Sequence, residues 1–150
     1  MDLSELYNAR IMELAAAIGA GQRLTDPDGQ GTAHSKLCGS TISVDVKLSD
    51  GKVVAYGQTV KACLLGQASA SAMARNIVGT SAEELRAVGE RMRGMLKQGG
   101  PPPDGRWADL AVLEPVKDFK ARHASTLLVF DAVERALEQA QAKRTEAVGA

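Results

Sequence analysis

Residues 41–60 read TISVDVKLSDGKVVAYGQTV, and this stretch decides the fold. Its first half alternates apolar with polar side chains, which is the two-residue period of a half-buried strand; the apolar positions are Ile42, Val44, Val46 and Leu48. The turn residues at 49–51, Ser-Asp-Gly, predict a hairpin, and a second strand rich in Val and Tyr follows from Lys52 to about Val60. A third short strand before Thr41 would complete an antiparallel meander.

Helical patterns lie on both sides of this hairpin. Apolar residues recur every three or four positions over about 3–19, where Gly19 and Gly21 end the pattern. After Lys61 the small residues of 67–74 predict a helix that can approach its neighbours closely. A capping box at 80–84 opens a charged helix that continues to about Lys97.

The remaining segments are less regular, except for one long helix near the end. Residues 22–35, rich in Gly, Asp and Thr, indicate a loop or a short irregular strand, and the Gly- and Pro-rich residues 99–105 indicate an exposed loop. A short helical piece is expected at 107–113 and the last helix at about 126–142. Strands followed by helices predict an α+β fold, with a small antiparallel sheet of about three strands packed against several helices in one domain spanning residues 1–150.

Composition excludes several classes of function. The chain has 18 Lys and Arg against 18 Asp and Glu, so the positive charge on which nucleic-acid affinity depends is absent. Aromatic residues make up 3%, too few for a platform on which bases stack. No apolar run approaches the roughly 18–20 residues of a membrane span, and the first residues lack the basic start of a signal peptide. We expect a cytoplasmic protein whose partners include neither nucleic acid nor membrane.

Two cysteines in a chain of this kind indicate chemistry or metal binding more than a disulfide framework. Cys38 precedes a glycine just before the first strong strand. Cys63 directly precedes a predicted helix, where unpaired amides favour a thiolate, and it is therefore the expected nucleophile. The alternative is that both thiols are small buried hydrophobic groups.

These cysteine segments together resemble a known family. Leu37-Cys38-Gly39, the hairpin, and residues 62–71, ACLLGQASAS, are similar to the IscU/SufU/NifU N-terminal family of iron–sulfur cluster scaffolds. That family's pattern is Cys-Gly-Asp, then Gly-Cys before a Ser- and Ala-rich helix, then a third Cys at the start of the last helix. The resemblance covers about residues 5–140. The long segment after Cys63, with its proline-rich loop, is similar to the insertion of the SufU branch.

The chain departs from the family pattern at two ligand positions. Ser40 stands where the family has the aspartate, and Ser125 stands where the resemblance places the third cysteine. A serine hydroxyl is a poor ligand for zinc or iron. Ser125 also has the chemistry of an N-cap, and we expect it to cap the last helix.

Other side chains could supply the missing ligand. His123 could complete a set with Cys38 and Cys63 for zinc or a [2Fe–2S] cluster; otherwise it faces solvent. His34, four residues before Cys38, is a weaker candidate. Arg122 matches an arginine of the SufU branch, so it could pair with an anionic ligand or a thiolate; otherwise it is a surface charge.

The resemblance implies a scaffold or sulfur acceptor more than an enzyme with its own turnover. Such a protein takes persulfide sulfur from a cysteine desulfurase, binds iron or a [2Fe–2S] cluster, and passes the cluster to downstream acceptor proteins. A zinc-dependent sulfurtransferase is a second possibility. The third is a divergent adaptor or regulator of the assembly machinery that binds no metal. The sequence does not determine the oligomeric state.

Overall fold

Three antiparallel strands form the sheet, in the order in which they occur along the chain. They are β1 (Gly29–His34), β2 (Thr41–Ser49) and β3 (Lys52–Lys61). In the computed structural model, which describes residues 8–18, 22–36 and 39–149 and only the backbone of 144–149, the β2–β3 turn has positive φ at Asp50 and Gly51. The predicted hairpin and the third strand are confirmed, and the alternation along β2 places Ile42, Val44 and Val46 in the core.

Four α-helices and two stretches of 3₁₀ turns accompany the sheet in the described chain. The helices are α1 (Ala9–Ala16), α2 (Leu64–Asn76), α3 (Ala82–Gln98) and α4 (His123–Gly149), and the 3₁₀ stretches are Gly105–Asp118 and Lys120–Arg122. Helix α4 packs on β1 and β2, while α2 packs on α1, α4 and β3. The α+β class is confirmed. Across the described residues, no helix combines the length and hydropathy that a membrane crossing needs.

Helix boundaries agree with the sequence patterns in α3 and differ elsewhere. The Ser81 hydroxyl accepts a hydrogen bond from the Glu84 amide (3.1 Å), as the capping box predicts. The first helix was expected at 3–19, but α1 is shorter, because the Asn8 side chain caps its start by accepting a hydrogen bond from the Ile11 amide (3.0 Å) and the helix ends at Ala16. Residues 1–7 and 19–21 lie outside the described residues. The short helix expected at 107–113 is wrong in type and extent, because 3₁₀ turns run over the whole of Gly105–Asp118. In the proline-rich loop, Pro103 is buried, although the whole loop was expected to be exposed.

The backbones of β1 and α4 approach each other closely because β1 carries glycines on its inner face. A Cβ atom added at Gly31 would lie 2.1 Å from the carbonyl oxygen of Ala132 and 2.6 Å from the nitrogen of Ala136. One added at Gly29 would lie 2.0 Å from the Ala136 oxygen. The sequence of residues 22–35 did not distinguish a loop from a strand. Its glycines are needed for the close contact with α4, which lies about a hundred residues later in the chain.

A buried carboxylate fixes the segment that enters β1. Asp45, in the middle of β2, accepts hydrogen bonds from the Arg23 guanidinium (2.6 and 2.7 Å), the Leu24 amide (2.9 Å) and the Gln30 side chain (2.9 Å). The hydrogen bond from Arg23 is the largest influence on the carboxyl pKa, and together these donors lower it to about 2 despite the opposing effect of burial. The ion pair therefore ties residues 22–24 to the sheet.

We expect the Asp45 carboxylate to make the protein acid-sensitive. Its pKa falls from an ordinary 3.8 when unfolded to about 2 when folded, so the stabilisation is complete above pH 3.8 and disappears as the pH falls through 2. The loss is about 2 kcal/mol. Urea unfolding of the wild type and of Asp45→Asn at stepped pH measures it: the variant should lack this part of the acid dependence. If the free energy of unfolding of the two proteins changed equally with pH, the acid sensitivity would not come from Asp45.

Candidate functional site

The topology brings two connections to one end of the sheet. His34 at the end of β1 is paired with Thr41 at the start of β2, and Thr41 is paired with Lys61 at the end of β3. The loop 35–40, which contains Cys38, therefore leaves the sheet beside the link that carries Cys63. Residues 37 and 38 themselves lie outside the described residues, so the side chain of Cys38 is given no position.

Cys63 occupies the N-cap of α2. Its backbone is extended (φ −67°, ψ 173°), its carbonyl accepts the first intrahelical hydrogen bond from the Gln67 amide (2.9 Å), and its side chain makes no capping hydrogen bond. The thiol is free and only partly buried. An uncommitted sulfur at a helix N-terminus is positioned to react or to bind a ligand. The position expected for Cys63 is confirmed.

The first turn of α2 packs against the first turn of α4. A Cβ atom placed at Gly66, one turn after Cys63, would lie 3.2 Å from the Ser125 carbonyl oxygen. The Gln67 side chain holds the turn by donating a hydrogen bond to the Ala62 carbonyl (2.8 Å). The turn of α2 that follows Cys63 therefore lies against the turn of α4 that contains Ser125.

Ser125 is inside α4 and does not cap it. The helix begins at His123, and the Ser125 hydroxyl, which is buried, donates a hydrogen bond to the Arg122 carbonyl (3.2 Å). Thr126 donates to the same carbonyl (2.8 Å). The N-cap expectation is therefore wrong. The 3₁₀ turn Lys120–Arg122 runs directly into the helix, so it begins earlier than the capping preference of serine indicates.

The His123 side chain is buried and bound to the backbone. Its Nε2 lies 3.0 Å from the Val116 carbonyl oxygen and 3.1 Å from that of Lys117. Because both partners are acceptors, Nε2 carries the proton, and only Nδ1 has a lone pair for a ligand. Positions 123 and 125 are about 200° apart around a helix. A histidine turned to the 3₁₀ segment is therefore not directed to the side on which Ser125 meets α2.

The other candidates have different surroundings. Ser40 is buried in the β1–β2 connection, where its carbonyl accepts a hydrogen bond from the Ser35 amide (2.9 Å). His34 is exposed, with Nδ1 2.8 Å from the Thr41 hydroxyl. Arg122 is partly buried and forms no ion pair within the described part of the chain. Its carbonyl, in contrast, is the acceptor that holds Ser125.

Among residues 8–18, 22–36 and 39–149, no three His, Cys, Asp or Glu side chains converge as metal ligands. The described donors at the junction of α2 and α4 are one thiol and one hydroxyl. That donor set does not fit a resident zinc ion, which takes four ligands in structural sites.

Comparisons with known proteins agree with this architecture. The sequence matches no protein-family profile. The crystal structure of the N-terminal region of a NifU-like nitrogen-fixation protein from Brucella abortus is 52% identical, with a TM-score of 0.91 over 94% of this chain and 98% of that one. The chain belongs to the IscU/SufU/NifU family. An iron–sulfur cluster assembly scaffold protein IscU from Thermotoga maritima is 25% identical over 134 residues, 89% of this chain and 94% of the relative.

A second structure supports the fold of this IscU/SufU/NifU family member. The SUF-system scaffold SufU of Fervidobacterium islandicum AW-1 superposes with a TM-score of 0.82 over 91% of this chain and 99% of that one, at 18% identity. At that identity the likeness concerns the fold alone. The scaffold name also belongs to the Thermotoga relative, and the Brucella protein is named NifU-like.

One feature of the surface was not anticipated from the sequence. A cavity of about 530 Å³ opens between the end of α3, the 3₁₀ segment and the start of α4. Its lining includes Arg93, Lys97, Lys117 and Lys120. They form two pairs, 93 with 97 and 117 with 120, that are well separated in sequence, so no single run of basic residues reveals the cluster.

Proposed function

We propose that the protein is an iron–sulfur cluster assembly scaffold, with Cys63 as the sulfur acceptor and Cys38 as its partner in holding the cluster. The observation that carries the proposal is the position of Cys63. It begins α2 beside the first turn of α4, at the end of the sheet from which the Cys38 loop also leaves. A free, partly exposed thiol at such a junction is what sulfur uptake requires.

Sulfur uptake follows thiol–disulfide chemistry. The Cys63 thiolate attacks the outer sulfur of a persulfide on a cysteine desulfurase, and a new S–S bond forms at Cys63. The S–S bond of the desulfurase breaks, and its cysteine leaves as a thiolate. The thiol starts this reaction from the N-cap of α2, where its side chain makes no capping hydrogen bond. A thiol reductant then reduces the outer sulfur by two electrons, releasing it as sulfide and becoming a disulfide itself. Iron and this sulfide, held on the thiolates, are cargo, which acceptor proteins then receive.

Ser125 or His123 would supply the remaining ligand of the cluster. Ser125 has the better place, since its turn contacts the turn that follows Cys63. Its hydroxyl would have to release the Arg122 carbonyl in order to bind iron. His123 would bind through Nδ1 while Nε2 keeps its carbonyl partners, and this would require the start of α4 to turn. Ser40 and Arg122 are proposed to contact the cluster or an incoming anion from the β1–β2 and α4 sides.

A second function is favoured by the same hydrogen bonds. Ser125 and the Nε2 of His123 are both engaged by backbone carbonyls, which leaves the site short of strong ligands. An adaptor or regulator of the assembly machinery that keeps the fold and partner contacts but carries no cluster would have this arrangement.

Reconstitution separates the two functions. Metal-free protein is incubated anaerobically with a cysteine desulfurase, cysteine, ferrous iron and dithiothreitol as the thiol reductant, and bound iron and acid-labile sulfide are measured after gel filtration. We expect the wild type to hold a weakly bound cluster. The double variant Ser40→Asp with Ser125→Cys should hold at least about tenfold more, because it restores a carboxylate and a thiolate.

The control is Ser49→Asp with Ser81→Cys, which adds the same groups near the β2–β3 turn and the start of α3. Comparable loading of this control would show that the added groups act nonspecifically. No sulfide on the wild type and no gain in Ser40→Asp with Ser125→Cys would overturn the scaffold in favour of the adaptor.

A further inference from the structure

We propose that the cavity between α3, the 3₁₀ segment and α4 binds a small anion carrying two or more phosphate groups. It is called here the lysine cavity and is lined by Arg93, Leu96, Lys97, Lys117, Lys120, His123, Ala124, Leu127 and Asp131. Its volume of about 530 Å³ lies in the range of small-molecule sites. The site is separate from the sulfur-accepting thiol, which begins α2.

The free positive charge of the lysine cavity comes from three lysines. Lys97, Lys117 and Lys120 are exposed, and none of them forms an ion pair with a described residue. They come from three different elements and surround one opening. Such a convergence is notable in a chain with equal numbers of basic and acidic residues.

The arginine in the cavity is already committed. Arg93 donates to Glu134 (3.0 and 3.0 Å) and to Asp131 (2.8 Å), and Glu90 lies 3.9 Å away. Three carboxylates therefore surround the guanidinium, and one of them, Asp131, lines the cavity. Arg93 braces α3 against α4 and has little capacity left for a ligand.

The three free lysines indicate the chemical class. A free guanidinium would bind either a carboxylate or a phosphate through two parallel hydrogen bonds, but the guanidinium here is occupied. Ammonium groups act as point charges with rotatable donors, and several of them suit the spread charge of a polyphosphate. The walls supplied by Leu96 and Leu127 are apolar, so they add shape and no competing charge. The backbone bond of His123 keeps its ring fixed beside the opening.

The test is a titration of the metal-free protein with inorganic pyrophosphate, followed by amide NMR shifts. We expect a dissociation constant of about 1 mM or tighter at low salt, weakening with ionic strength. The shifts should concentrate at 93–97, 117–124 and 127–131. Each substitution Lys97→Gln, Lys117→Gln and Lys120→Gln should weaken binding about threefold, and all three together about thirtyfold.

The matched control is Lys52→Gln. Lys52 is exposed, and its backbone forms an isolated β-bridge with Ser81 at the opposite end of α3. Its substitution should therefore leave the affinity for pyrophosphate unchanged. Cys63→Ser should also bind pyrophosphate like the wild type, which keeps this test independent of the scaffold function. Shifts elsewhere, wild-type affinity in the triple variant, absence of binding at about 10 mM, or equal binding of citrate would each overturn the proposal.

Discussion

Gly31→Ala should destabilise the protein by about 3 kcal/mol or more, the upper end of the cost of overpacking a core. The added methyl carbon would lie 2.1 Å from the Ala132 carbonyl oxygen and 2.6 Å from the Ala136 nitrogen. Both are backbone atoms of α4, so no side-chain rotation relieves the contact. The helix would have to move away from β1, and the packing of α4 on the sheet would loosen. Urea unfolding followed by circular dichroism measures the loss.

The same substitution at Gly94 is the control. Gly94 lies inside α3, and a Cβ atom there would meet nothing within 4 Å. Gly94→Ala should therefore stabilise the protein by about 0.5–1 kcal/mol through the helix propensity of alanine. We therefore expect Gly31→Ala to lower the free energy of unfolding and Gly94→Ala to raise it. A loss below about 1 kcal/mol at Gly31 would mean that α4 adjusts easily to the added methyl group.

The parts of the fold that sequence patterns predicted are those with local causes. The alternation along β2 and the turn at 49–51 depend on neighbouring residues, and so does the Ser81 cap of α3. The start of α4 depends on the 3₁₀ turn before it, and a capping preference at Ser125 does not report that turn. The β1 glycines depend on the approach of α4, a contact between distant parts of the chain.

The candidate site likewise has features that local sequence predicts and features that depend on contacts between distant residues. A helix N-terminus can be predicted from local sequence, and Cys63 is found there. His123 was expected to turn towards the thiols, but its nearest acceptors are the carbonyls of Val116 and Lys117, which only the path of the 3₁₀ segment supplies. Three of the residues around the lysine cavity were individually plain surface lysines. Their convergence exists only after α3 and α4 have packed.

Cys63→Ser should abolish sulfur uptake, lowering the initial rate of persulfide transfer from a desulfurase by at least about tenfold. The reason lies in the position of this thiol. It makes no capping hydrogen bond, it is partly exposed, and it lies at the N-terminus of α2. A serine hydroxyl stays protonated at neutral pH and does not attack the persulfide. Mass spectrometry of the chain after brief incubation detects the added sulfur atom.

Cys38→Ser is the comparison that makes this result specific. If Cys38 acts after transfer, in holding the assembled cluster, its loss should leave the first sulfur addition near the wild-type rate while lowering the iron and labile sulfide retained. Alkylation of both single variants across a pH series gives an independent measure, with the remaining thiol in Cys38→Ser reacting faster at neutral pH. Sulfur uptake that persists in Cys63→Ser and disappears in Cys38→Ser would make the loop cysteine the acceptor, because a serine hydroxyl cannot replace a thiolate in the attack on the persulfide.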